Sequence, residues 1–421
     1  MGGRYFDSRN VLVACLSQED AIRHMAEEIG YITNGDLLYH ISDRTEDLND
    51  YEVVFIGCSA EDEAGCTNIS AFVKRFALTG KTLVPFCTYV SSRRDEALQN
   101  IVDLTPEAKH LTGLGIRDVA SSEVELQTWI NLINEQWNEL NADDSGRYAD
   151  DGSVADPSVD GPAPMRGTVN LWYKGNVPTI TQNAVNSDDP DFIPNMRVFT
   201  VPDNVIPKGA VIICPGGAFL FRGVRVEGYS VAEMLVSMGY QCFVVNYRIS
   251  PYTMQESTAD LGRAIRYVRA HASAYRIDAK CVALAGFSAG GLLCGEVLLH
   301  WQGLKNGTAL DRTYRPDALD ETPVSVCAIG MIYSFYGQMS LPMNDVETLR
   351  AASLPPAFYC WGSRDSLDGL CRRNAEALCK AGHGVEIYVL EDYPHGYGTG
   401  GSADVWIERF DVFLTRIMSG N

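Results

Sequence analysis

At 421 residues the chain exceeds one ordinary domain and implies two or three. Apolar residues make up 46%, enough for sizeable cores, which excludes wholesale disorder. The formal charge of -20, from 54 acidic and 34 basic residues, excludes a nucleic-acid partner, because phosphate binding needs a positive footprint.

None of the 12 cysteines sits in a C-x-x-C pair, and half of them (Cys15, Cys87, Cys214, Cys242, Cys281, Cys327) lie in apolar runs. Such thiols behave as small buried hydrophobes, so neither disulfides nor a metal site is expected. The apolar run Val11 to Leu16 is too short for a secretion signal, and no stretch has the length of a membrane span. The expectation is a reduced, cytoplasmic chain with no membrane association. Its oligomeric state is not readable.

Val11–Leu16 is a continuous apolar run, as in a strand buried on both faces. Residues 19–29 place Ala21, Ile22, Met25, Ala26 and Ile29 on one helical face, with Gly30 as the expected stop. Further strands are expected at 36–41, 52–56, 82–87 and 114–116, and helices at 68–78, 93–103 and 121–140. This alternation predicts a parallel sheet with helices on both faces.

The runs VLVACLS, YEVVFIG and GKTLVPFCT resemble the first, third and fourth strands of the flavodoxin family, over about residues 9–140. In that family a glycine- and hydroxyl-rich loop after the first strand cradles the FMN phosphate at a helix N-terminus. The segment here is Ser17-Gln18-Glu19-Asp20-Ala21-Ile22, with two carboxylates where the phosphate would sit. The loop after the third strand, 58–65, is acidic and lacks an aromatic side chain to stack on the flavin. The expectation is a flavodoxin-like domain, residues 1–140, without a cofactor, serving as a scaffold or partner-binding module.

Residues 141–166 are rich in Asp, Gly, Ser and Pro and poor in large apolar side chains. They read as a linker, because they bury too little to offset their ordering entropy.

From residue 167 to 421 a longer α/β series follows, with eight strands expected at 169–173, 196–201, 210–215, 241–247, 280–286, 324–330, 356–361 and 384–390. Helices are expected near 227–239, 257–274, 289–302, 367–381 and 402–418. Gly286-Phe287-Ser288-Ala289-Gly290 sits between an apolar run and a helical one. A serine raised on a tight strand–turn–helix bend needs small neighbours, and there its hydroxyl projects at the sheet edge. Asp365 and His395 each follow a predicted strand, so the three residues share one edge. Their order, Ser then Asp then His, suits nucleophile, orienting acid and general base. Asp368 and Asp392 compete for the acid role. Asp365 is preferred because it lies directly in the turn after its strand, whereas Asp392 is too near His395 in the chain. The other six histidines (His24, His40, His110, His271, His300, His383) have no comparable context.

Pro215-Gly216-Gly217-Ala218-Phe219 follows an early buried strand, and its glycines let backbone amides approach a substrate oxygen. The candidate oxyanion donors are the amides of Gly217, Ala218 and Ala289. Phe219, Phe221, Tyr252, Tyr333, Phe335, Tyr336 and Trp361 fall near the expected site, either to stack on a sugar or as core.

The stretches VIICPGGAF, EGYSVAEMLVSMGYQCFVVNYRISPY, DLGRAIRYVRAHASAYRID, GFSAGG, LPPAFYCWGSRDSL and YPHGYG resemble the α/β-hydrolase branch that contains acetyl esterases and acetylxylan esterases. That resemblance implies an α/β-hydrolase domain and hydrolysis of short acyl esters, acetyl above all, on small molecules such as acetylated sugars or xylo-oligosaccharides. Many relatives have a third glycine at Ala218. Asp260 and Arg263 match a recurring stretch and read as a helix face and its caps. A prolyl-oligopeptidase-like peptidase shares the residue order, but 140 leading residues cannot supply its propeller domain. The alternative of another class is a binding or redox-partner protein acting through the flavodoxin-like domain.

Overall fold

A computed structural model of the protein describes residues 10–43, 47–90, 93–117, 123–141, 153–159, 163–181, 192–300, 307–338, 341–398 and 404–420. The chain divides into two units, Met1–Leu140 and Asn141–Asn421.

In the first unit, strands β1 (Val11–Cys15), β2 (Asp36–Leu38), β3 (Val53–Ser59), β4 (Thr82–Thr88) and β5 (Lys109–His110) lie in the order β2-β1-β3-β4-β5. β6 (Leu114–Ile116) also pairs with β4, and every pairing is parallel. Side chains of β1 alternate between two cores. Val11, Val13 and Cys15 meet α1 (Asp20–Thr33) and α4 (Glu123–Asn141), while Leu12 and Ala14 meet α2 (Glu63–Arg75) and α3 (Arg94–Asp103). Burial on both faces explains the unbroken apolar run. This is the flavodoxin-like strand order of a doubly wound sheet.

The expected stop of α1 at Gly30 is wrong. The helix runs to Thr33, and Asn34 closes it in the left-handed region at φ 52°. Gly30 is instead a packing residue, since a Cβ there would come 3.2 Å from the Leu37 side chain.

The second unit holds a nine-stranded sheet. Its strands are β7 (Val154–Ala155), β8 (Gly167–Asn170), β9 (Asn195–Phe199), β10 (Gly209–Cys214), β11 (Tyr240–Asn246), β12 (Val282–Phe287), β13 (Ala328–Ile332), β16 (Ala357–Gly362) and β17 (Val385–Leu390). The order is β17-β16-β13-β12-β10-β11-β9-β8-β7. The six strands from β17 to β11 are mutually parallel, and β9 is antiparallel to both its neighbours. A small hairpin of β14 (Gly337–Gln338) and β15 (Leu341–Pro342) stands apart from it. Helix α5 (Ser230–Ser237) packs on α10 (Val405–Met418), α6 (Met254–Ala270) on α7 (Ala289–His300), and α8 (Val346–Ala351) on α9 (Asp368–Ala381). This is an α/β-hydrolase sheet whose single antiparallel strand, β9, lies towards one end.

The stretch 141–166 is not a tether throughout. Residues 142–152 and 160–162 lie outside the described residues, but Val154–Ala155 pairs with Thr168–Val169, and Val159, Ala163 and Met165 pack on the second core. Side chains of the second unit hold its backbone: the buried His271 ring bonds Ser158 O at 2.8 Å, and Thr200 Oγ1 donates to Met165 O at 2.7 Å. Composition under-reads such a segment, because its anchoring groups lie elsewhere in the chain.

Asp260 and Arg263 are not caps either. Asp260 lies buried inside α6, where it accepts from Arg248 Nε and Nη2 (both 2.8 Å) and from Trp172 Nε1 (2.7 Å). Arg263 donates to Leu171 O and pairs with Asp317. Paired and fully hydrogen-bonded, these charges tie α6 to the chain flanking β8 and β11.

Glu256, one turn before Asp260, is buried and accepts from Thr253 N and Oγ1, Thr179 Oγ1, Ile180 N, and Thr181 N and Oγ1 at 2.5–3.1 Å. Burial alone would raise its pKa, but the bonds from Thr179, Thr181 and Thr253 outweigh that and hold it at about 2. A depressed carboxyl stabilises the fold above its unfolded pKa, and that contribution is lost as pH falls from about 4.5 towards 2. Glu256→Gln is expected to cost about 2–3 kcal/mol at pH 7. In urea denaturation the gap to the native sequence should narrow at pH 3.

Candidate active site

Ser288 stands alone between β12 and α7 at φ 47°, a left-handed conformation that costs a non-glycine residue roughly 1 kcal/mol or more. Close contacts force the bend. A Cβ on Gly290 would lie 2.0 Å from Cys214 O, and one on Gly286 would lie 2.5 Å from Gly291 Cα. The Ser288 amide donates to Ile332 O at 3.0 Å, which fixes the turn against β13.

Asp365 lies in the turn after β16, and His395 in the loop after β17. The two segments are locked together, as Arg364 N donates to Tyr393 O at 3.0 Å. Ser288 Oγ is 2.9 Å from His395 Nε2, and His395 Nδ1 is 2.9 Å from both Asp365 carboxylate oxygens. Leu367 N also donates to Asp365 Oδ1 at 2.7 Å. A carboxylate facing Nδ1 selects the tautomer with the proton there, which leaves Nε2 free to accept from the serine. The Asp365 side chain is 0% exposed and that of His395 12%, so water reaches the ring and not the acid behind it.

The loop after β10 turns tightly, with Gly217 at φ 120°, Ala218 at 52° and Phe219 at 60°. Leu220 N and Phe221 N both donate to Gly217 O. Among the described residues the amides of Gly217 and Ala218 have no protein acceptor. The loop lies against the serine, since a Cβ on Gly216 would be 2.9 Å from Ser288 Cβ. Ala289 opens α7, where the first amides of a helix are unpaired and carry the positive end of its dipole. The arrangement combines an activated hydroxyl with backbone donors beside it, which is the geometry for acyl transfer.

The competing acids are engaged elsewhere. Asp368 Oδ1 accepts from Trp361 Nε1 at 2.6 Å, and Asp392 occupies a positive-φ turn whose amide donates to Ser363 Oγ. His110, His271 and His383 hydrogen-bond Thr105, Tyr267 O with Ser158 O, and Leu349 O, respectively, and His300 Nε2 lies 3.9 Å from Glu296 Oε2. Phe335, Tyr336 and Trp361 are buried core, whereas the Tyr333 ring meets His395 edge-on at 4.9 Å. One neighbour escapes the sequence reading. Glu227, a buried carboxylate in a π-helical turn at Val224–Tyr229, accepts from Gly216 N at 2.6 Å and from Tyr333 Oη at 2.5 Å. A helix expected to start at 227 turns this residue into an ordinary surface position, and no local pattern announces the wider π turn.

In the first unit, the crevice beyond β1 and β3 does not fit FMN. Ser17 Oγ donates to Asp62 Oδ2 at 2.5 Å, Asp62 Oδ1 caps α2 through Ala64 N, and Glu19 stands at the N-terminus of α1 without a capping bond. The hydroxyl that would meet a phosphate is committed to a carboxylate, and like charges there oppose a dianion. Among the described residues no group of His, Cys, Asp and Glu is arranged to hold a metal ion, and no helix is long and apolar enough to cross a membrane.

Comparison with known proteins gives each unit a counterpart. Residues 198–352 match the BD-FAE family model, a span that takes in Gly216–Ala218 and Ser288 and ends before Asp365. Residues 38–133 match a flavodoxin model, beginning after the Ser17–Ile22 loop. The chain is 35% identical over 263 residues to the acetylxylan esterase of Xylanibacter ruminicola, covering 59% of this chain and 52% of that protein. It is 31% identical over 134 residues to endo-1,4-beta-xylanase B of Butyrivibrio fibrisolvens, covering 30% of this chain and 21% of that protein. Thus it spans between a fifth and about half of the length of these relatives. A solved acetyl ester-xyloside bifunctional hydrolase from Caldicellulosiruptor lactoaceticus aligns over 61% of this chain and 98% of that chain, with 22% identity and a TM-score of 0.46.

Titrating FMN into the purified protein is expected to leave flavin fluorescence unquenched. Stoichiometric quenching would show that the Ser17–Asp62 contact yields to a phosphate.

Proposed function

We propose that the chain is a serine esterase in which Ser288 is the nucleophile, His395 the general base and Asp365 the acid that orients it. The observation that carries this reading is the unbroken hydrogen-bonded line from Ser288 Oγ through the imidazole to a fully buried carboxylate. Esterases among the relatives support the reaction class.

Ser288 attacks the ester carbonyl as its proton passes to His395 Nε2, and Asp365 stabilises the imidazolium that forms. The developing oxyanion is received by the amides of Gly217, Ala218 and Ala289. His395 then protonates the departing alcohol, and water activated by the same ring releases the acid from the acyl-enzyme. Short acyl groups, acetyl first, are the proposed substrates, carried on sugars or xylo-oligosaccharides. The acetylxylan esterase relative supports that class, and the methyl of Ala218 beside the oxyanion loop favours a small acyl group. The 11 described cysteines are free thiols, which supports a reducing, cytoplasmic setting. The first unit acts in this reading as a flavin-free scaffold or binding module.

Ser288→Ala is expected to lower kcat/KM for p-nitrophenyl acetate by roughly 10⁴-fold or more. Undiminished turnover in that variant refutes the assignment. A panel of p-nitrophenyl esters from acetate to octanoate, run beside acetylated xylo-oligosaccharides, should show the highest kcat/KM on acetyl groups.

A further inference from the structure

Glu227 has no part in the mechanism above, yet it lies directly beneath it. Its carboxylate is buried, and a lone buried charge is costly unless donors surround it. Here Oε2 accepts from Gly216 N and Oε1 from Tyr333 Oη. Gly216 is the residue before the oxyanion amides and abuts Ser288. Tyr333 follows β13, sits at φ 39°, and presents its ring edge to His395. One carboxylate therefore grips the oxyanion loop with one oxygen and the wall of the histidine with the other.

We propose that Glu227 is a positioning residue of this site, holding the Gly216–Ala218 loop in register through Gly216 N and, through the Tyr333 hydroxyl, the ring that packs on His395. The proposal rests on the serine-esterase reading. Both donors aim hydrogens at the carboxylate, so its two oxygens act only as acceptors. A glutamine cannot replace it, because its amide nitrogen would face one of those donors.

On balance burial raises the Glu227 pKa, against the bonds from Tyr333 and Gly216 N and the charge of His395, which lower it. The same coupling acts in reverse: an anionic Glu227 favours the imidazolium. Among the described residues, ionisable groups at the ring include Asp365 on Nδ1, Tyr333 at its edge, and Tyr397, which packs on Tyr333 at 4.7 Å. Tyr397 donates to Cys360 Sγ, and burial holds its pKa well above the usual range, so it stays neutral. Asp365 and Glu227 are the carboxylates of this set, and Glu227→Gln removes the second of them.

The test compares Glu227→Gln, Tyr333→Phe and Ser288→Ala with p-nitrophenyl acetate between pH 5 and 9. Glu227→Gln is expected to lower kcat about 10- to 100-fold with little change in KM, and to move the acid limb of kcat/KM to lower pH. Wild-type kinetics in that variant, or a loss of activity with the acid limb unmoved, overturns the proposal. If Glu227→Gln does not fold by circular dichroism, Tyr333→Phe decides. It removes one donor and keeps the ring, so a kcat reduced about threefold or more with unchanged KM supports the role, and wild-type kcat overturns it. Full activity in Ser288→Ala would instead sink the esterase reading. An inactive Ser288→Ala beside a wild-type Glu227→Gln sinks the inference alone.

Discussion

Everything at the candidate site depends on one close approach, that of the elbow at Ser288 to the end of β10. With only 2.0 Å available between an added Cβ on Gly290 and Cys214 O, no side chain fits between them. The contact brings the first turn of α7 against the loop that leaves β10, where a Cβ on Gly216 would lie 2.9 Å from Ser288 Cβ. It also forces Ser288 into a left-handed conformation, with the strain carried by the packed strands β10, β12 and β13 on either side. A looser elbow would relax the serine and let the amides drift from where charge develops. Electrostatic help to a transition state depends on donors that are already in place.

The second constraint is charge. A chain with formal charge -20 nevertheless buries Asp365, Glu227, Asp260 and Glu256. Each is surrounded by donors rather than left bare: Leu367 N and the His395 ring for Asp365, Gly216 N and Tyr333 for Glu227, Arg248 and Trp172 for Asp260, and threonines with backbone amides for Glu256. Two of the four shape the site and two hold the scaffold. Buried carboxylates of this kind fix geometry because moving them strands the donors as well as the charge.

Most of the fold was legible because its signals are local. Unbroken apolar runs mark strands such as Val53–Ser59 and Val282–Phe287, whose two faces are both covered. Ser288, Asp365 and His395 stood out because each follows such a run, so strand ends alone placed them on one edge. What stayed hidden is held by long-range partners. Residues 153–159 look like a tether until His271, more than a hundred residues on, takes the carbonyl of Ser158. Asp260 and Arg263 read as a helix face and its caps until Arg248, Trp172 and Asp317 are seen to engage them inside the fold. Glu227 is the sharpest case. Its meaning comes from Gly216 and Tyr333, which are 11 and 106 positions away, and from a π-helical turn that no periodicity announces.

The first unit separates scaffold from chemistry in the same terms. Its strand order follows from apolar patterning along β1, β3 and β4, which any doubly wound sheet of this size shares. Ligand grip is a property of a few loop residues at the strand ends, and those can change without disturbing the core. Ser17 keeps its hydroxyl, yet Asp62 claims it, and Asp62 in turn caps the helix that follows β3. That carboxylate stabilises α2 and repels a phosphate by the same charge. One carboxylate thus both closes the Ser17 hydroxyl and caps the following helix, so the group that stabilises α2 is the one that opposes a phosphate there.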